Sequence, residues 1–430
     1  MKHITKQQQL EMAVETFKAS LQSPFYAKKY AGVKCPTTWE EWQKLPPLTR
    51  DELYKNTYPA TTNMLTRPVK GGIVSSTGGS SGIARTIVLS YDEWDEFCQR
   101  QAEAMMLVGV DDTDIVANLY IAGKMWPSFL GGHEIIKRTG AMELPISANM
   151  PPEEIYQFVK RFQPTVLISL PTLFVLMADM AKAEGYVFPN LKLCAYVGEQ
   201  MSREADKYVR QYLGAKDIQP LAYTSGDCGL MGYPCENAAF GTYHLPTDFQ
   251  LIEIVDPDTL QPLPDGETGE VLVTSLCRRY QPILRYRLGD MASFLKETCP
   301  CGDPNPLFRL SGRAGEDFKL GGAYISMDVF EKAVSHYSDL SLNYQLTLED
   351  ISNQMTINLD VESSLQPDSC KAREVAEALR QELTDTIREL KVGQEMNFIR
   401  EFTVKVVALG ALPRNTTSGK IKKLIDKRVL

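Results

Sequence analysis

Between roughly residues 70 and 300, short apolar runs alternate with amphipathic stretches along the chain. The runs DIVANLY, TVLISL and KLCAYVG are typical of strands, and helical patterns follow the last two. In TVLISLPTLFVLMADMA (165–181), we expect a buried strand and then a helix that begins at Pro171, because proline is favoured in the first helical turn. Ser90 and Glu93 have the spacing of a capping box, which predicts another helix start. This alternation predicts an α/β sheet with helices on its faces.

The two ends of the chain have different patterns. The first sixty or so residues are typical of helices, with Thr49 in a position to cap a helix start. Beyond residue 312, one helix, strand-like NYQLTLE and QMTINLDVE, a long helix and strand-like FTVKVVAL predict a compact α+β module. The segment SGRAGEDFKLGG (311–322) is rich in glycine and charge and marks the boundary. We therefore predict a domain over 1–312 and a second over 313–430.

Composition excludes several classes of protein. The 430-residue chain has a net charge of −8, which argues against a nucleic-acid binder. Its longest apolar stretch carries Asp179, is interrupted by Pro171, and is shorter than the roughly 20 apolar residues that a membrane span needs. The amino terminus lacks the apolar run of a signal peptide, and nine scattered cysteines do not resemble a secreted disulfide framework. We expect a cytoplasmic protein without nucleic-acid or membrane partners.

The segment SSTGGSSG (75–82) concentrates glycine and hydroxyl side chains and has three interpretations. It is a plain turn, a nucleophile elbow with Ser80 in GGSSG, or a phosphate clamp built from converging backbone N–H groups. An elbow needs a helix after the serine, whereas IARTIVLS is typical of a strand. The histidines available as a base are His3, His133, His244 and His336. A phosphate clamp of the P-loop type needs a lysine after its last glycine, so here the cation must come from elsewhere.

Further motifs lie in a fixed order along the chain. They are VGEQMS (197–202), AYTSGDCG (222–229), ILRYRLGD (283–290), LSGRAGEDFKLGG (310–322) and LPRNTTSGKIKK (412–423). In this order, they resemble the G-A-E-P, Y-G-x-x-E, R-Y-R-x-x-D, G-R-x-D-D and terminal S-G-K-I motifs of the adenylate-forming superfamily, and SSTGGSSG resembles its phosphate loop. The resemblance is closest to the phenylacetate–CoA ligase branch of that superfamily. The resemblance spans nearly the whole chain. It implies a large, multi-sheet amino-terminal adenylation domain and a small, mobile α+β carboxy-terminal lid, with the active site between them.

The resemblance implies an AMP-forming carboxylate–thiol ligase. A carboxylic acid, arylacetate-like by this resemblance, would attack the α-phosphate of ATP with Mg²⁺ bound, and the acyl-adenylate would pass to coenzyme A. Three alternatives stay open: transfer to a carrier-protein thiol, nucleotide binding without catalysis, and a serine hydrolase. Expected partners are the acid, ATP and CoA, with a homodimer as an open option.

The resemblance also implies roles for single residues. Lys420 is the candidate for the missing cation, against the simpler interpretation of a solvated lysine in a basic tail. Asp227 stands where the family has Glu and is the candidate Mg²⁺ ligand. The predicted nucleotide-binding residues are Ser75, Ser76, Thr77, Gly78, Gly79, Ser80, Gly82, Gly198, Glu199, Tyr223 (stacking on adenine), Thr224, Ser225, Asp290 (ribose) and Arg313 (phosphate or ribose). Aromatic residues and a proline mark the expected acyl-pocket neighbourhood: Tyr120, Trp126, Pro171, Phe174 and Tyr196. At the hinge, Gly315 and Glu316 replace the family's Asp-Asp.

A separate cluster has the composition of a structural zinc site. Cys235 and His244 form a C-x8-H pair, and Cys299 and Cys301 form a tight C-x-C pair. Three thiolates and one imidazole make a closed tetrahedral zinc set. Spacing alone leaves zinc and plain reduced cysteines equally open, and the similarity to relatives in this branch favours zinc.

Overall fold

The chain separates into two structural units. The computed structural model describes residues 1–77, 85–123, 125–198, 201–235, 237, 240–313, 318–320, 323–351, 354–395, 399–414 and 420–428. Unit 1 comprises Met1–Pro145, Ala195–Gly198 and Gln219–Ala314, and unit 2 comprises Ile146–Cys194, Glu199–Ile218 and Gly315–Leu430. The last passage from unit 1 to unit 2 therefore lies close to the predicted boundary at 312–313, while unit 2 also contains segments from the middle of the chain.

Most of the helices begin after a Ser or Thr whose side chain caps the first turn, and three of them begin at a proline (Pro127, Pro152 and Pro171) without such a cap. They are α1 (Lys6–Ser20), α2 (Pro24–Lys29), α3 (Trp39–Gln43), α4 (Arg50–Lys55), α5 (Tyr91–Leu107), α6 (Pro127–Thr139), α7 (Pro152–Phe162), α8 (Pro171–Glu184), α9 (Arg203–Leu213), α10 (Met327–Ser335), α11 (Cys370–Thr386) and α12 (Arg388–Glu395). Thr49 caps α4, and Ser90 with Glu93 forms a capping box at α5. Helix α8 begins at Pro171. These predicted helix starts are confirmed.

The strands lie largely where the apolar runs predicted them. They are β1 (Gly72–Thr77), β2 (Arg85–Ser90), β3 (Ile115–Asn118), β4 (Met142–Leu144), β5 (Val166–Ser169), β6 (Leu193–Tyr196), β7 (Asp217–Pro220), β8 (Tyr223–Ser225), β9 (Gly229–Gly232), β10 (Thr242–His244), β11 (Gln250–Val255), β12 (Gly269–Ser275), β13 (Tyr286–Phe294), β14 (Leu307–Arg313), β15 (Phe318–Leu320), β16 (Ala323–Ile325), β17 (Leu340–Ile351), β18 (Gln354–Ser363), β19 (Ile399–Ala408) and β20 (Leu424–Asp426). Strands β5 and β6 are buried along their whole length, as continuous apolar runs require.

The core of unit 1 forms where the amino-terminal helices meet an antiparallel sheet of order β10-β14-β13-β12-β11. Phe17 and Trp42 share one apolar cluster with Tyr286 of β13. The Trp42 indole donates a 3.2 Å hydrogen bond to the Glu253 carboxylate, which also forms a 3.0 Å ion pair with the buried Arg285. The amino-terminal helices are therefore tied to the sheet by apolar packing and by a satisfied buried ion pair.

Unit 2 joins helices from the middle of the chain to a carboxy-terminal sheet of order β19-β18-β17-β20. Strands β17 and β18 are antiparallel, while β19 and β20 each pair in parallel with a neighbour. Asp179 on α8 accepts hydrogen bonds of 2.6 Å from Ser341 on β17 and from Tyr208 on α9. Ser202 donates to Glu331 on α10. Residues widely separated in sequence are thus joined by side-chain hydrogen bonds within unit 2.

Candidate functional site

The glycine- and serine-rich segment begins on a β-hairpin in unit 1. Strand β1 pairs antiparallel with β2 from Gly72↔Ser90 to Thr77↔Arg85. Ser75 and Ser76 are buried, and the Ser76 N–H donates a 2.8 Å hydrogen bond to the Met125 carbonyl. Gly78, Gly79, Ser80 and Gly82 lie outside the described residues, as does the side chain of Thr77. The segment is followed by a strand, so the helix that a nucleophile elbow requires is replaced by β2.

Asp227 lies in the turn between β8 and β9 and is 2% exposed. The Tyr286 hydroxyl donates a 3.0 Å hydrogen bond to Asp227 Oδ2, and Arg278 Nη1 donates to the Asp227 carbonyl. The next carbonyl, of Cys228, accepts a 2.7 Å hydrogen bond from Gln250 Nε2. Both the carboxylate and the backbone of this turn are therefore held in place. No sequence pattern singled out Tyr286 or Arg278 as a partner of Asp227, although Tyr286 lies within the ILRYRLGD motif.

Asp290 is fixed by a tyrosine from another predicted motif. The Tyr223 hydroxyl donates a 2.6 Å hydrogen bond to Asp290 Oδ2. The Tyr223 ring is buried against Tyr243 and Phe308, with centroids 5.9 and 5.8 Å away. On the neighbouring strand, the backbone of Arg313 pairs directly with that of Asp290, while its side chain is outside the described part. Three predicted nucleotide-binding residues are thus brought together, and stacking of Tyr223 on adenine stays a prediction.

The four predicted metal ligands converge. Their donor atoms all lie within 4.8 Å of one another, with Cys235 Sγ 3.5 Å from Cys299 Sγ and Cys301 Sγ 3.4 Å from His244 Nε2. Ligand atoms around one tetrahedral zinc are about 3.5–3.8 Å apart. His244 Nδ1 lies 3.1 Å from the Asn305 carbonyl, so a proton on Nδ1 leaves Nε2 as the ligand atom. Burial raises the pKa of the Cys235 thiol to about 12, and a cation in the cluster would favour the thiolate.

Known proteins match nearly the whole chain. Residues 144–277 match the family described as AMP-binding enzyme. The phenylacetate-coenzyme A ligase of Thermus thermophilus is 24% identical over 94% of this chain and 92% of its own length, and that of Escherichia coli K12 is 26% identical over 94% and 90%. The predicted resemblance is therefore confirmed: the chain is similar to AMP-binding enzymes over residues 144–277 and to phenylacetate-coenzyme A ligases over nearly its whole length.

The fold is also that of adenylate-forming CoA ligases. A crystal structure of 2-hydroxyisobutyryl-CoA ligase with a bound adenylate superimposes with a TM-score of 0.79 at 18% identity, covering 97% of this chain and 88% of that one. The predicted α/β fold with a carboxy-terminal α+β domain is therefore confirmed. In the described part of the chain, no helix has the length and apolarity needed to cross a bilayer.

The remaining described nucleotide-site candidates lie close to Asp227 in sequence or at the end of the 195–198 segment. Thr224 and Ser225 end strand β8, and Ser225 Oγ accepts a 3.0 Å hydrogen bond from the Cys228 N–H. Gly198 has a φ of +83°, a left-handed conformation that favours glycine. Glu199 lies outside the described residues.

Lys420 belongs to unit 2, in a segment whose two ends are joined. An isolated antiparallel bridge pairs Arg414 with Ile421, on either side of this segment. The fully buried carboxylate of Glu362 accepts 3.0 Å hydrogen bonds from the Leu412 N–H and from Arg414 Nη2. The bridge and the ion pair hold Arg414 and Ile421, the described residues on either side of the segment that contains Lys420. Gly419 and the hinge residues Gly315 and Glu316 lie outside the described residues.

The acyl-pocket candidates are divided between the units. Tyr120, Trp126 and Tyr196 belong to unit 1, whereas Pro171 and Phe174 are buried on α8 of unit 2. Burial raises the pKa of Tyr120, and among the described residues its hydroxyl and the Trp126 indole N–H have no hydrogen-bond partner.

Proposed function

We propose that this chain is an ATP-dependent, AMP-forming acyl- or aryl-CoA ligase. It activates an arylacetate-like carboxylic acid as an acyl-adenylate and transfers the acyl group to coenzyme A. The observation that carries the proposal is whole-length similarity to phenylacetate–CoA ligases. It is supported by the buried, doubly held Asp227 and by the Tyr223–Asp290 hydrogen bond in the corresponding motifs.

The chemistry requires positive charge where a carboxylate meets a polyphosphate. Lys420 supplies that charge to the phosphates, and the hydroxyl groups of Ser75 and Ser76 donate hydrogen bonds to them. Asp227, with the phosphates of ATP, would hold Mg²⁺, and the ion would supply charge neutralisation; a carboxylate together with phosphates is its usual ligand set. Asp290 accepts the ribose hydroxyls, and Tyr223 orients its carboxylate. Displacement of AMP by the thiol of CoA completes the reaction.

Carboxylate-dependent exchange of pyrophosphate into ATP tests the first half-reaction, and AMP release with CoA tests the second. Lys420→Ala should lower exchange by roughly 10²–10³-fold and leave ATP affinity largely intact, since the lost cation acts as charge develops. The matched control is Lys427→Ala, which removes a surface lysine paired with Glu349 in the same unit. Normal exchange in Lys420→Ala would refute its assigned role.

The same assays separate the alternatives. A carrier-protein ligase would show exchange but release AMP with a phosphopantetheinyl carrier rather than with CoA. A nucleotide-binding protein without catalysis would bind ATP without exchange, and a serine hydrolase would do neither. The thiol acceptor is therefore identified by the second half-reaction alone.

We also propose that Cys235, His244, Cys299 and Cys301 hold a structural Zn²⁺. The donor set leaves no coordination position for a substrate, which is typical of structural sites. Elemental analysis of the purified protein should give one zinc per chain, and Cys301→Ser should lose it. Cys370→Ser, at an exposed cysteine outside the cluster, should retain it. Absence of stoichiometric zinc from the unsubstituted protein would end this proposal.

Two expectations about the whole protein stay predictions. Homodimer formation is tested by light scattering of the purified chain, and a cytoplasmic location by fractionation of the cells that contain it.

A further inference from the structure

A cavity of about 170 Å³ lies within unit 1, next to two of the recognised motifs. Ser75 of the glycine- and serine-rich segment and Gly226, which precedes Asp227, both line it. Its aromatic lining consists of Trp94, Phe97 and Phe249, and the first two rings are stacked with centroids 5.6 Å apart. An apolar cavity of about 150 Å³ is known to hold benzene. The space therefore matches one aromatic ring with a small substituent.

Arg278 lines the same cavity and is 6% exposed. Nη1 donates to the Asp227 carbonyl, whereas Nε and Nη2 have no hydrogen-bond partner in the described part of the chain. A guanidinium stays charged in proteins and carries five N–H donors. Buried donors without acceptors are costly and are rarely left so unless a ligand or water meets them. The open donors of Arg278 are therefore a second, independent indication of a bound molecule.

The other charges at the cavity decide which acceptor suits Arg278. Asp92, Glu93 and Glu96 also line it. Glu93 is fixed by the backbone N–H groups of Arg279 and Tyr280, which donate to Oε1 at 2.6 and 2.9 Å. Glu96 forms a 2.7 Å ion pair with Arg100, whereas the charges of Glu93 and Asp227 both act on Arg278. A further carboxylate on the ligand would therefore meet net negative charge. A neutral acceptor such as a hydroxyl or carbonyl oxygen avoids that repulsion.

We infer that this cavity holds the acyl part of the substrate as a single aromatic ring, and that Arg278 binds a neutral oxygen substituent on that ring. The inference rests on the proposed ligase function and narrows its substrate class. It places the ring beside α5, not among the acyl-pocket residues expected from the sequence, none of which lines this cavity. Ring-hydroxylated or ring-acylated arylacetates are then preferred over the unsubstituted acid. Arg278 has two roles: it holds the Asp227 turn through Nη1 and reads the substituent through its remaining donors.

Pyrophosphate exchange with a matched series of acids tests the inference. The series is phenylacetate, its 3- and 4-hydroxy and 4-acetyl derivatives, and 4-carboxyphenylacetate. We expect kcat/KM for at least one neutral derivative to exceed that for phenylacetate by roughly 10- to 100-fold, because an unmet buried donor disfavours the analogue without the acceptor. The 4-carboxy acid should be a poorer substrate than the best neutral derivative.

The Arg278→Met variant separates the two roles of Arg278, which are recognition of the ring substituent and support of the Asp227 turn. Loss of support alone lowers kcat/KM for every acid by the same factor, whereas loss of recognition removes the ratio between substituted and unsubstituted acids. We expect the ratio to fall close to one. Phe97→Ala enlarges the cavity and should admit two-ring acids while keeping the substituent preference.

The outcomes are distinguishable without the Arg278 variant. Exchange with phenylacetate at the same efficiency as with all its neutral derivatives would overturn the inference and leave the ligase function intact. Absence of exchange with every carboxylic acid would overturn the proposed function itself. If Arg278→Met fails to fold, the acid preference of the unsubstituted enzyme and of Phe97→Ala still decides the question.

Discussion

The buried ion pair between Glu362 and Arg414 should control the segment that carries Lys420. The Glu362 side chain is 0% exposed and that of Arg414 is 20% exposed, with Nη1 and Nη2 each 3.0 Å from a carboxylate oxygen. Glu362→Gln keeps the shape and one acceptor, which the Leu412 N–H can still use. It removes the charge opposite Arg414 and turns an amide N–H₂ group towards a guanidinium.

The size of the effect follows from the burial of the pair. Removing one partner of a buried ion pair lowers the free energy of unfolding by about 3–5 kcal/mol. Because Gln keeps one acceptor, we expect a loss near the lower value, about 3 kcal/mol. We expect a lower urea midpoint and faster proteolysis of the segment around 412–421. The rate of pyrophosphate exchange should also fall, because Lys420 lies on the same segment.

The matched control is Glu349→Gln in the same sheet. Glu349 pairs with Lys427 at the surface, with side chains 32% and 57% exposed. Surface pairs contribute about 0–1 kcal/mol, so this variant should keep both the midpoint and the activity. Equal destabilisation by the two substitutions, or an unchanged proteolysis pattern in Glu362→Gln, would refute the reasoning.

Other substitutions test separate parts of the structure. Burial raises the pKa of Asp179 to about 6, so the folded chain binds more protons than the unfolded chain between about pH 4 and 6. The free energy of unfolding should therefore fall by about 3 kcal/mol as pH rises through this window. Asp179→Asn should abolish this pH dependence of the urea midpoint. At Gly232, an added Cβ would lie 2.8 Å from Phe308 Cζ, so Gly232→Ala should destabilise unit 1 by about 1–3 kcal/mol, measured by thermal unfolding. Tyr286→Phe removes the 3.0 Å hydrogen bond to Asp227. It should lower the free energy of unfolding by about 1 kcal/mol and the kcat of pyrophosphate exchange by about tenfold. An unchanged kcat would show that Asp227 does not need this hydrogen bond.

Local features of the fold could be predicted from the sequence because their causes are local. Thr49 and Ser90 cap helices through residues only three positions away, and Pro171 begins α8 through its own ring geometry. For these helix starts, the residue type and its near neighbours are sufficient. The four metal-ligand candidates were named from two short pairs, but their convergence depends on the tertiary fold.

Features that depend on distant contacts could not be predicted in this way. Arg278 lies in the polar run CRRYQ, which resembles exposed chain, and only the tertiary fold buries it against the Asp227 carbonyl. Tyr223 was expected to stack on adenine, but the packing of its ring against Tyr243 and Phe308 and its bond to Asp290 depend on strands far apart in sequence. Motif spacing marked the candidate segments, and the contacts within them could be seen only in the structure.

The hydrogen bond between Asp179 and Ser341 has a consequence for biosynthesis. The two residues are 162 positions apart. At ribosomal rates of about 5–20 residues per second, α8 emerges roughly 8–30 s before its partner strand is translated. During that interval the nascent polypeptide exposes a helix prepared for burial, so prematurely terminated translation products should be prone to aggregation and should depend on chaperones.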